Sequence, residues 1–229
     1  MTSVDLTSLA LGYLPFIKVI DDVYTVEECK RLIRLSEYHG YSDEPTNKFG
    51  QIVNSPRIRN NRNVNIENGF ETHELWSRIK EHIPQYWMDK PVVGLSKSLR
   101  FSKYTPDQYF YAHTDTSFYD ESNSGSRISV VLYLNDEDLE GGHTRFFSVE
   151  TMEFIDIVPK AGRVLVFEHE ISHAGLSVKQ GVKYCLRTDV MYSLGIQNHA
   201  SVFGNTHVQG SQTGGFFAPG VNKPVVGFD

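Results

Sequence analysis

The chain has 229 residues, of which 40% are hydrophobic and 22% are charged, and its formal net charge is −6 at pH 7. This length is sufficient for a full hydrophobic core, and the composition excludes disordered and membrane-spanning classes. The acidic balance, without a dense Lys/Arg block, argues against a nucleic-acid partner, and the lack of a long apolar run argues against a membrane partner. Only two cysteines, Cys29 and Cys185, are present, and the N-terminus lacks a basic signal-peptide region. We therefore expect a cytoplasmic protein without a disulfide framework.

The first part of the chain predicts one strand and two helices. Residues 13–20 alternate loosely between apolar and polar side chains, as a strand does. Thr25 and Glu28 form a capping-box pattern, and the apolar residues after them follow helical spacing. A second helix is expected over residues 71–82, ending near Pro84.

The segment from Arg57 to Asn65, RIRNNRNVN, is rich in hydrogen-bond donors and poor in apolar residues. We expect it to be a loop. It is either solvated or lies at the mouth of a site, where it would hold the polar groups of a substrate.

From residue 98 onward the pattern changes to short strands separated by turns. Strand-like runs occupy residues 98–104, 109–115, 126–134, 142–148, 162–168 and 182–192. Many short strands after a helical region predict a mainly β protein with flanking helices, α+β overall, whose core is a double-sheet jelly roll. The N-terminal helices are expected to pack on one sheet.

The domain organisation follows from the same pattern. We find no linker that divides the chain, so we expect a single domain over residues 1–229, with a helical support at 14–97 and a jelly-roll core at 98–192. Residues 193–229 form a Gly-rich extension, which also carries aromatic and aliphatic side chains. Part of this tail is therefore expected to pack on the domain.

The chemistry is expected at the triplet His113-Thr114-Asp115. In an extended chain, residues two apart share a face, so His113 and Asp115 can converge on one metal ion. A histidine and a carboxylate are two of the three ligands of the facial triad that holds non-haem Fe(II). His173 is the candidate for the third ligand, although a lone histidine is more often structural.

The segment from His169 to His173 also spells H-E-x-x-H, a zinc-protease signature. That motif requires a helix, in which residues four apart share a face. The preceding GRVLVF is strand-like, and no glutamate follows Glu170 as a third ligand. We therefore disfavour a protease and expect His169 and Glu170 at a strand end or in a loop.

Two basic residues follow His173 on a predicted strand. Residues 183, 185 and 187 would face one way, so Lys183 and Arg187 flank Cys185. Buried cations need an anionic partner, which a dicarboxylate cosubstrate would supply. For Arg187 the alternative is an ion pair with Asp189.

These residues resemble the 2-oxoglutarate- and Fe(II)-dependent dioxygenases, specifically the prolyl-4-hydroxylase-like branch, over roughly residues 14–192. The motifs that carry the resemblance occur in the family's order. They are Tyr104 before the HxD triplet, Tyr133-Leu134-Asn135, Gly-Gly-x-Thr-x-Phe at 141–146, Pro-x-x-Gly at 159–162, His173, and a basic residue ten positions later at Lys183.

The resemblance implies a double-stranded β-helix with iron inside one end, bound by His113, Asp115 and His173. Lys183 would pair with the distal carboxylate of 2-oxoglutarate, Arg187 would share or take over that role, and Tyr104 and Tyr133 would donate hydrogen bonds to the cosubstrate. Each tyrosine has the alternative of being aromatic core.

The implied activity is hydroxylation of an unactivated C–H bond, with Fe(II), 2-oxoglutarate and O₂ as cofactors, ascorbate as a reductant, and succinate and CO₂ as products. The substrate would be a peptide or protein, such as one with a peptidyl proline, or a small molecule. A non-catalytic jelly-roll binding module is the alternative from a different class.

Overall fold

The computed structural model describes residues 1–5, 16–42, 58–147 and 153–194. Several expectations fall partly outside these ranges. The loop predicted from Arg57 is described only from residue 58, and the strand predicted at 142–148 is described only to residue 147. The strand predicted at 13–20 is described only from residue 16, and the tail predicted to pack on the domain is described only at Ser193 and Leu194.

Within the described ranges the chain forms helices α1 (Val26–His39) and α2 (Gly69–Ile79), and α2 continues into a 3₁₀ turn, Lys80–His82. The strands are β1 (Ser3–Asp5), β2 (Ile17–Ile20), β3 (Arg62–Glu67), β4 (Tyr86–Trp87), β5 (Lys90–Leu95), β6 (Ser98–Tyr104), β7 (Phe110–His113), β8 (Ser124–Tyr133), β9 (Glu140–Gly141), β10 (Thr144–Phe147), β11 (Phe154–Ile157), β12 (Val164–Glu168), β13 (His173–Gly175), β14 (Val178–Gln180) and β15 (Lys183–Ser193). None of the described helices is long and apolar enough to cross a membrane.

Helix α1 begins at the predicted capping box. The Glu28 backbone N–H donates to Thr25 Oγ1 at 3.3 Å, and the Thr25 backbone N–H donates to Glu28 Oε2 at 2.8 Å. Both bonds satisfy amides that have no partner inside the helix. The helix ends at Gly40, whose φ of 77° favours glycine.

Two antiparallel sheets form the body of the protein. The larger sheet runs β1-β2-β12-β8-β15, and β15 then pairs with β6 along its first half and with β5 along its second half. Strand β3 extends this sheet beyond β6, and β4 extends it beyond β5. The smaller sheet runs β11-β10-β13-β7. This arrangement confirms the jelly-roll prediction.

The central strands are buried on both faces. In β12, Val164 and Val166 belong to the core that also contains the buried residues of α1 and α2, whereas Leu165 and Phe167 belong to the core between the two sheets. The helices therefore cover the outer face of the large sheet, as expected. The inner face of the large sheet lines a cavity.

The prediction of a loop from Arg57 to Asn65 is wrong for its second half. Residues 62–67 form β3, which pairs in register with β6 from Arg62 opposite Lys103 to Glu67 opposite Ser98. Asn61 and Asn63 are buried. Backbone pairing to a neighbouring strand overrides the polar composition, because the ladder hydrogen bonds do not depend on side-chain type.

The other differences concern short strands. The sequence does not predict β1, β4, β5, β9, β11, β13 and β14, whose lengths range from two to six residues. Strands of that length carry too few alternations for a clear pattern. All described elements belong to one unit. That the whole chain forms a single domain stays a prediction.

Candidate active site

Two neighbouring strands of the smaller sheet bring the predicted metal ligands together. His113 is the last residue of β7 and lies opposite His173, the first residue of β13, with ring centroids 4.3 Å apart. Asp115 follows two residues after His113, and its backbone N–H donates to the His169 carbonyl at 2.8 Å. The antiparallel register therefore creates the site from segments that are far apart in the sequence.

The geometry of these three side chains suits a divalent metal. One ligand atom from each of them lies within 4.8 Å of the other two. His113 Nε2 is 3.7 Å from Asp115 Oδ1, and His173 Nε2 is 3.7 Å from Asp115 Oδ2. Two imidazoles and one carboxylate form the facial donor set of non-haem Fe(II) sites.

Both histidines are held in the tautomer that a metal ligand needs. His113 Nδ1 lies 2.7 Å from the Tyr111 carbonyl, and His173 Nδ1 lies 2.9 Å from the Ile171 carbonyl. A carbonyl oxygen only accepts, so each Nδ1 carries the proton and each Nε2 keeps its lone pair. The lone pairs are therefore available beside Asp115.

The protonation states also suit metal binding. Burial, with the neighbouring His173, lowers the pKa of His113 to about 4, and burial likewise lowers the pKa of His173. Burial alone would raise the pKa of Asp115, but Arg187, His173 and the Ser129 hydroxyl together hold it well below its usual range. At neutral pH the site has two neutral imidazoles and one carboxylate.

The side chains of Ser129 and Arg187 hold the Asp115 carboxylate in position. The Ser129 hydroxyl donates to Asp115 Oδ2 at 2.5 Å, and Arg187 Nη1 lies 3.1 Å from Asp115 Oδ1. Arg187 Nη2 also donates to Ser129 Oγ at 3.1 Å and to Asp189 Oδ1 at 3.0 Å. The carboxylate is thus oriented before any metal binds.

The helix that a zinc-protease motif requires is not formed. Strand β12 ends at Glu168, and His169 and Glu170 lie in the turn that follows, as expected. His169 is buried, and its Nε2 lies 3.0 Å from Asp189 Oδ1 instead of facing His173. The H-E-x-x-H pattern is therefore coincidental.

Strand β15 contributes the basic residues. Lys183, Cys185 and Arg187 all line the cavity that contains the three metal-ligand candidates, and Lys183 lies opposite Tyr104 of β6. Lys183 is only 3% exposed, and its Nζ donates to the Gly142 carbonyl at 2.5 Å. Burial lowers its pKa.

No carboxylate of the described residues neutralises Lys183, since none has an oxygen within 4 Å of Nζ. Its nearest aromatic neighbours are the rings of Tyr104 and Tyr133, whose centroids are 5.1 and 5.5 Å from Nζ. A buried ammonium without a counter-charge is unfavourable. The cavity is therefore prepared for an anion at this end.

The two tyrosines differ in their access to the cavity. Tyr104 lines it, whereas Tyr133 is fully buried and its hydroxyl donates to Thr144 Oγ1 at 2.7 Å. Thr144 lines the cavity in its place. A hydrogen bond from Tyr133 to a cosubstrate stays a prediction, and Thr144 is the side chain through which Tyr133 would act.

Comparison with known proteins agrees with this geometry. The model of the 2OG-Fe(II) oxygenase superfamily matches residues 99–188, which include all seven predicted site residues. The chain contains a 2OG-Fe(II) oxygenase domain. Enzymes of this superfamily use Fe(II), 2-oxoglutarate and O₂, so the expected enzyme class and cofactors are confirmed.

Three solved structures that are similar to this oxygenase are prolyl hydroxylases. A viral collagen prolyl hydroxylase from Paramecium bursaria Chlorella virus-1, solved with 2OG, is 21% identical, with a TM-score of 0.52 over 76% of this chain and 95% of that one. A Pseudomonas putida prolyl-4-hydroxylase is 20% identical, with a TM-score of 0.54 over 78% and 93%. A Trichoplax adhaerens prolyl hydroxylase, in complex with a peptide fragment of hypoxia inducible factor, is 14% identical, with a TM-score of 0.56 over 76% and 82%.

These likenesses show that the oxygenase shares the fold of prolyl hydroxylases. No curated protein sequence matches the chain.

Several residues of the oxygenase site were not predicted. Ser129 and Asp189 surround the metal-ligand candidates, and Thr144 stands between Tyr133 and the cavity. Two arginines, Arg59 and Arg100, also line the cavity. Three of these had a sequence signal. Thr144 is the threonine of the Gly-Gly-x-Thr-x-Phe motif, Arg59 belongs to the segment that is a candidate for the mouth of a site, and Asp189 is the alternative ion-pair partner of Arg187, which it contacts at 3.0 Å.

Proposed function

We propose that this protein hydroxylates an unactivated C–H bond of a peptide, with peptidyl proline as the first substrate class to test. One observation carries the proposal: one cavity contains three convergent metal-ligand side chains and a buried lysine without a counter-charge. A metal centre and an anion site in the same cavity are the two requirements for binding 2-oxoglutarate next to Fe(II).

In this proposal, His113 Nε2, His173 Nε2 and the Asp115 carboxylate hold the iron. When bound, Fe(II) supplies the activation of O₂ that is coupled to decarboxylation of 2-oxoglutarate to succinate and CO₂. The residues of the chain hold the ligands in position. The Tyr111 and Ile171 carbonyls keep both imidazoles correctly oriented.

Lys183 is the proposed partner of the distal carboxylate of 2-oxoglutarate. Lys183 and Arg187 are four residues apart on one face of β15, which separates their Cα atoms by roughly 13 Å. Arg187 already contacts Asp115 and Asp189, whereas the Lys183 ammonium donates to a carbonyl and has no carboxylate of the described residues within 4 Å. Lys183 is therefore the cation left for the cosubstrate, and Arg187 is a positioning residue for Asp115.

A charge-assisted bond from Lys183 would be strong, because burial has already removed the ammonium from water. The rings of Tyr104 and Tyr133 beside it exclude water from the same region. This end of the cavity would therefore select a ligand with a terminal carboxylate.

A peptide substrate is supported by the shared fold with prolyl hydroxylases, one of which was solved with a bound peptide fragment. A groove that adjoins the cavity has Arg100 and Arg187 in common with it, so a chain segment in the groove would approach the metal site from the side away from Lys183.

The test is aerobic incubation of the purified protein with Fe(II), 2-oxoglutarate, ascorbate and a library of proline-containing peptides. Mass spectrometry should detect the addition of one oxygen atom to proline, with a matching amount of succinate. Peptides in which alanine replaces proline are the control. Oxygen addition that is equal in both sets would contradict prolyl hydroxylation, and the absence of Fe(II)-dependent succinate would contradict the oxygenase activity itself.

A further inference from the structure

Two arginines face each other across the sheet beside the metal site. Arg100 of β6 lies directly opposite Arg187 of β15, and both side chains line the cavity and the adjoining groove. Like charges directly opposite each other on a sheet repel. The repulsion is strengthened by burial, so the pair is favourable only if anions neutralise both guanidinium groups.

The charge of Arg187 is neutralised within the protein. Its guanidinium contacts Asp115 at 3.1 Å and Asp189 at 3.0 Å. It therefore belongs to the network that orients the metal ligands.

The charge of Arg100 is not neutralised in this way. Its Nε donates to the neutral amide oxygen of Asn65 at 3.3 Å. Its Nη2 is buried and has no hydrogen-bond partner among the described residues, and none of their carboxylate oxygens lies within 4 Å of the guanidinium. Burial, together with Arg187 and Arg59, lowers the pKa of Arg100 to about 10, against a smaller opposite effect of the more distant Asp189 and Asp115, and the group stays charged at neutral pH.

The anion that fits Arg100 is distinct from the one proposed for Lys183. The β6–β15 register pairs Lys183 with Tyr104 and Arg187 with Arg100, so Arg100 and Lys183 lie at opposite ends of the same stretch of sheet. These ends are roughly 13 Å apart along the strands. A distal carboxylate of 2-oxoglutarate that pairs with Lys183 would therefore lie at the end of this stretch away from Arg100.

Binding of the cofactors also leaves the charge of Arg100 in place. Ferrous iron and the 2-oxoglutarate dianion cancel each other, so their arrival adds no net negative charge to the cavity. The groove that leads to Arg100 is lined by apolar side chains, among them Val93, Leu95, Phe118 and Met191, and by the carboxylates of Glu67, Asp120, Glu121 and Asp189. Within this groove an anionic group would bind at Arg100, whose buried Nη2 has no hydrogen-bond partner among the described residues.

We propose that Arg100 binds a carboxylate of the substrate, and that the oxygenase therefore acts on molecules that carry a carboxylate near the hydroxylated carbon. The inference rests on the proposed hydroxylase function and names its substrate class. The carboxylate has three possible sources: a free amino acid, the C-terminus of a peptide, or an Asp or Glu side chain.

The experiment compares matched acid and amide probes. The probes are free amino acids and their amides, peptides with a free or amidated C-terminus, and amidated peptides with Asp or Glu replaced by Asn or Gln. Oxygen addition is measured for each pair with wild type and Arg100→Gln. Gln can still donate to Asn65 but carries no charge.

We expect at least one acid probe to be hydroxylated about tenfold or more faster than its amide, as loss of a charge-assisted hydrogen bond implies. In Arg100→Gln the KM for that acid should rise by a similar factor, while the KM for its amide should not change. Arg100→Lys should restore part of the preference for the acid. Arg34→Gln, at an exposed helix position, removes the same charge as a control and should change nothing.

Equal rates for acid and amide, a preference that survives in Arg100→Gln, or no acid product while succinate still forms would each overturn the inference. Succinate formation without added substrate tests the proposed function separately. A rise of about tenfold or more in the KM for 2-oxoglutarate in Arg100→Gln would place a cosubstrate carboxylate at Arg100 and would also overturn the inference.

Discussion

Arg187 Nη1 lies 3.1 Å from Asp115 Oδ1, so the arginine of β15 is engaged with the metal-ligand carboxylate before any ligand binds. Lys183, four residues earlier on the same strand face, donates from its ammonium to the Gly142 carbonyl and lies beside the rings of Tyr104 and Tyr133. One strand therefore supplies two cations with different partners. For this reason we propose that Arg187 positions the metal-ligand carboxylate and that Lys183 binds the cosubstrate.

Lys183→Met should raise the KM for 2-oxoglutarate by at least about tenfold while leaving the affinity for the metal unchanged. Methionine fills a similar volume but has no charge for the distal carboxylate. In the absence of ligands this variant should be at least as stable as wild type, because a buried ammonium without a counter-charge is removed. Steady-state kinetics and urea unfolding test both points, with the exposed Lys179→Met as the control. An unchanged KM would contradict the assignment of Lys183.

Ser129→Ala should weaken metal binding by about tenfold to a hundredfold, as is typical when a partner of a ligand is removed. The Ser129 hydroxyl bridges Asp115 Oδ2 and Arg187 Nη2, so its loss frees the carboxylate to rotate towards the guanidinium. Titration with Co(II), followed by its visible absorption, measures the affinity. Ser122→Ala, in an exposed turn, should match wild type. Equal affinities for all three proteins would show that Asp115 needs no such support.

Thr144→Val and Tyr133→Phe should separate direct from indirect contact with the cosubstrate. Thr144 lines the cavity, whereas Tyr133 reaches it only through its hydrogen bond to Thr144. Thr144→Val should therefore raise the KM for 2-oxoglutarate more than Tyr133→Phe does. Tyr133→Phe should lower the free energy of unfolding by about 1 kcal/mol, through loss of a buried hydrogen bond. A larger KM effect for Tyr133→Phe would mean that its hydroxyl rotates to the cosubstrate.

The metal-free protein should lose stability as the pH falls from 7 to 5. The pKa of His113 is about 4 in the folded protein and about 6.5 in the unfolded chain, so the unfolded state binds more protons across this range. Stability therefore decreases with decreasing pH, and His113 alone contributes roughly 2 kcal/mol to the change. Urea unfolding with a chelator present measures it.

His113→Gln should flatten this pH profile, since glutamine does not titrate. His39→Gln, at an exposed position at the end of α1, should leave the profile unchanged. Identical profiles for wild type and His113→Gln would show that the pKa of His113 is the same in the folded protein and in the unfolded chain, which would contradict this prediction.

The sequence identified those features that depend on local spacing. The capping box of α1, strand β6 with both of its ends, and the His113/Asp115 pair are each set by residues a few positions apart. His173 and Lys183 are distant in sequence, and they were found because the family motifs occur in a fixed order. Local chemistry and motif order together were enough for the fold and the candidate ligands.

Features that depend on register between strands were not predictable. Arg100 faces Arg187, and Ser129 reaches Asp115, only because specific residues of β6, β8 and β15 lie side by side. A shift of one residue would turn each side chain to the other face of the sheet. Strand β3 was missed for a related reason, because its polar side chains resemble those of a loop while its backbone pairs with β6.

The most direct test of the central claim is Fe(II)-dependent formation of succinate from 2-oxoglutarate by wild type, His113→Ala and His39→Ala. Wild type and His39→Ala should form succinate, and a chelator should abolish it. His113→Ala should retain its circular dichroism spectrum but lose activity by at least about a hundredfold, because one of three iron ligands is gone. Succinate formation by His113→Ala at the wild-type rate would contradict the assignment of the iron site.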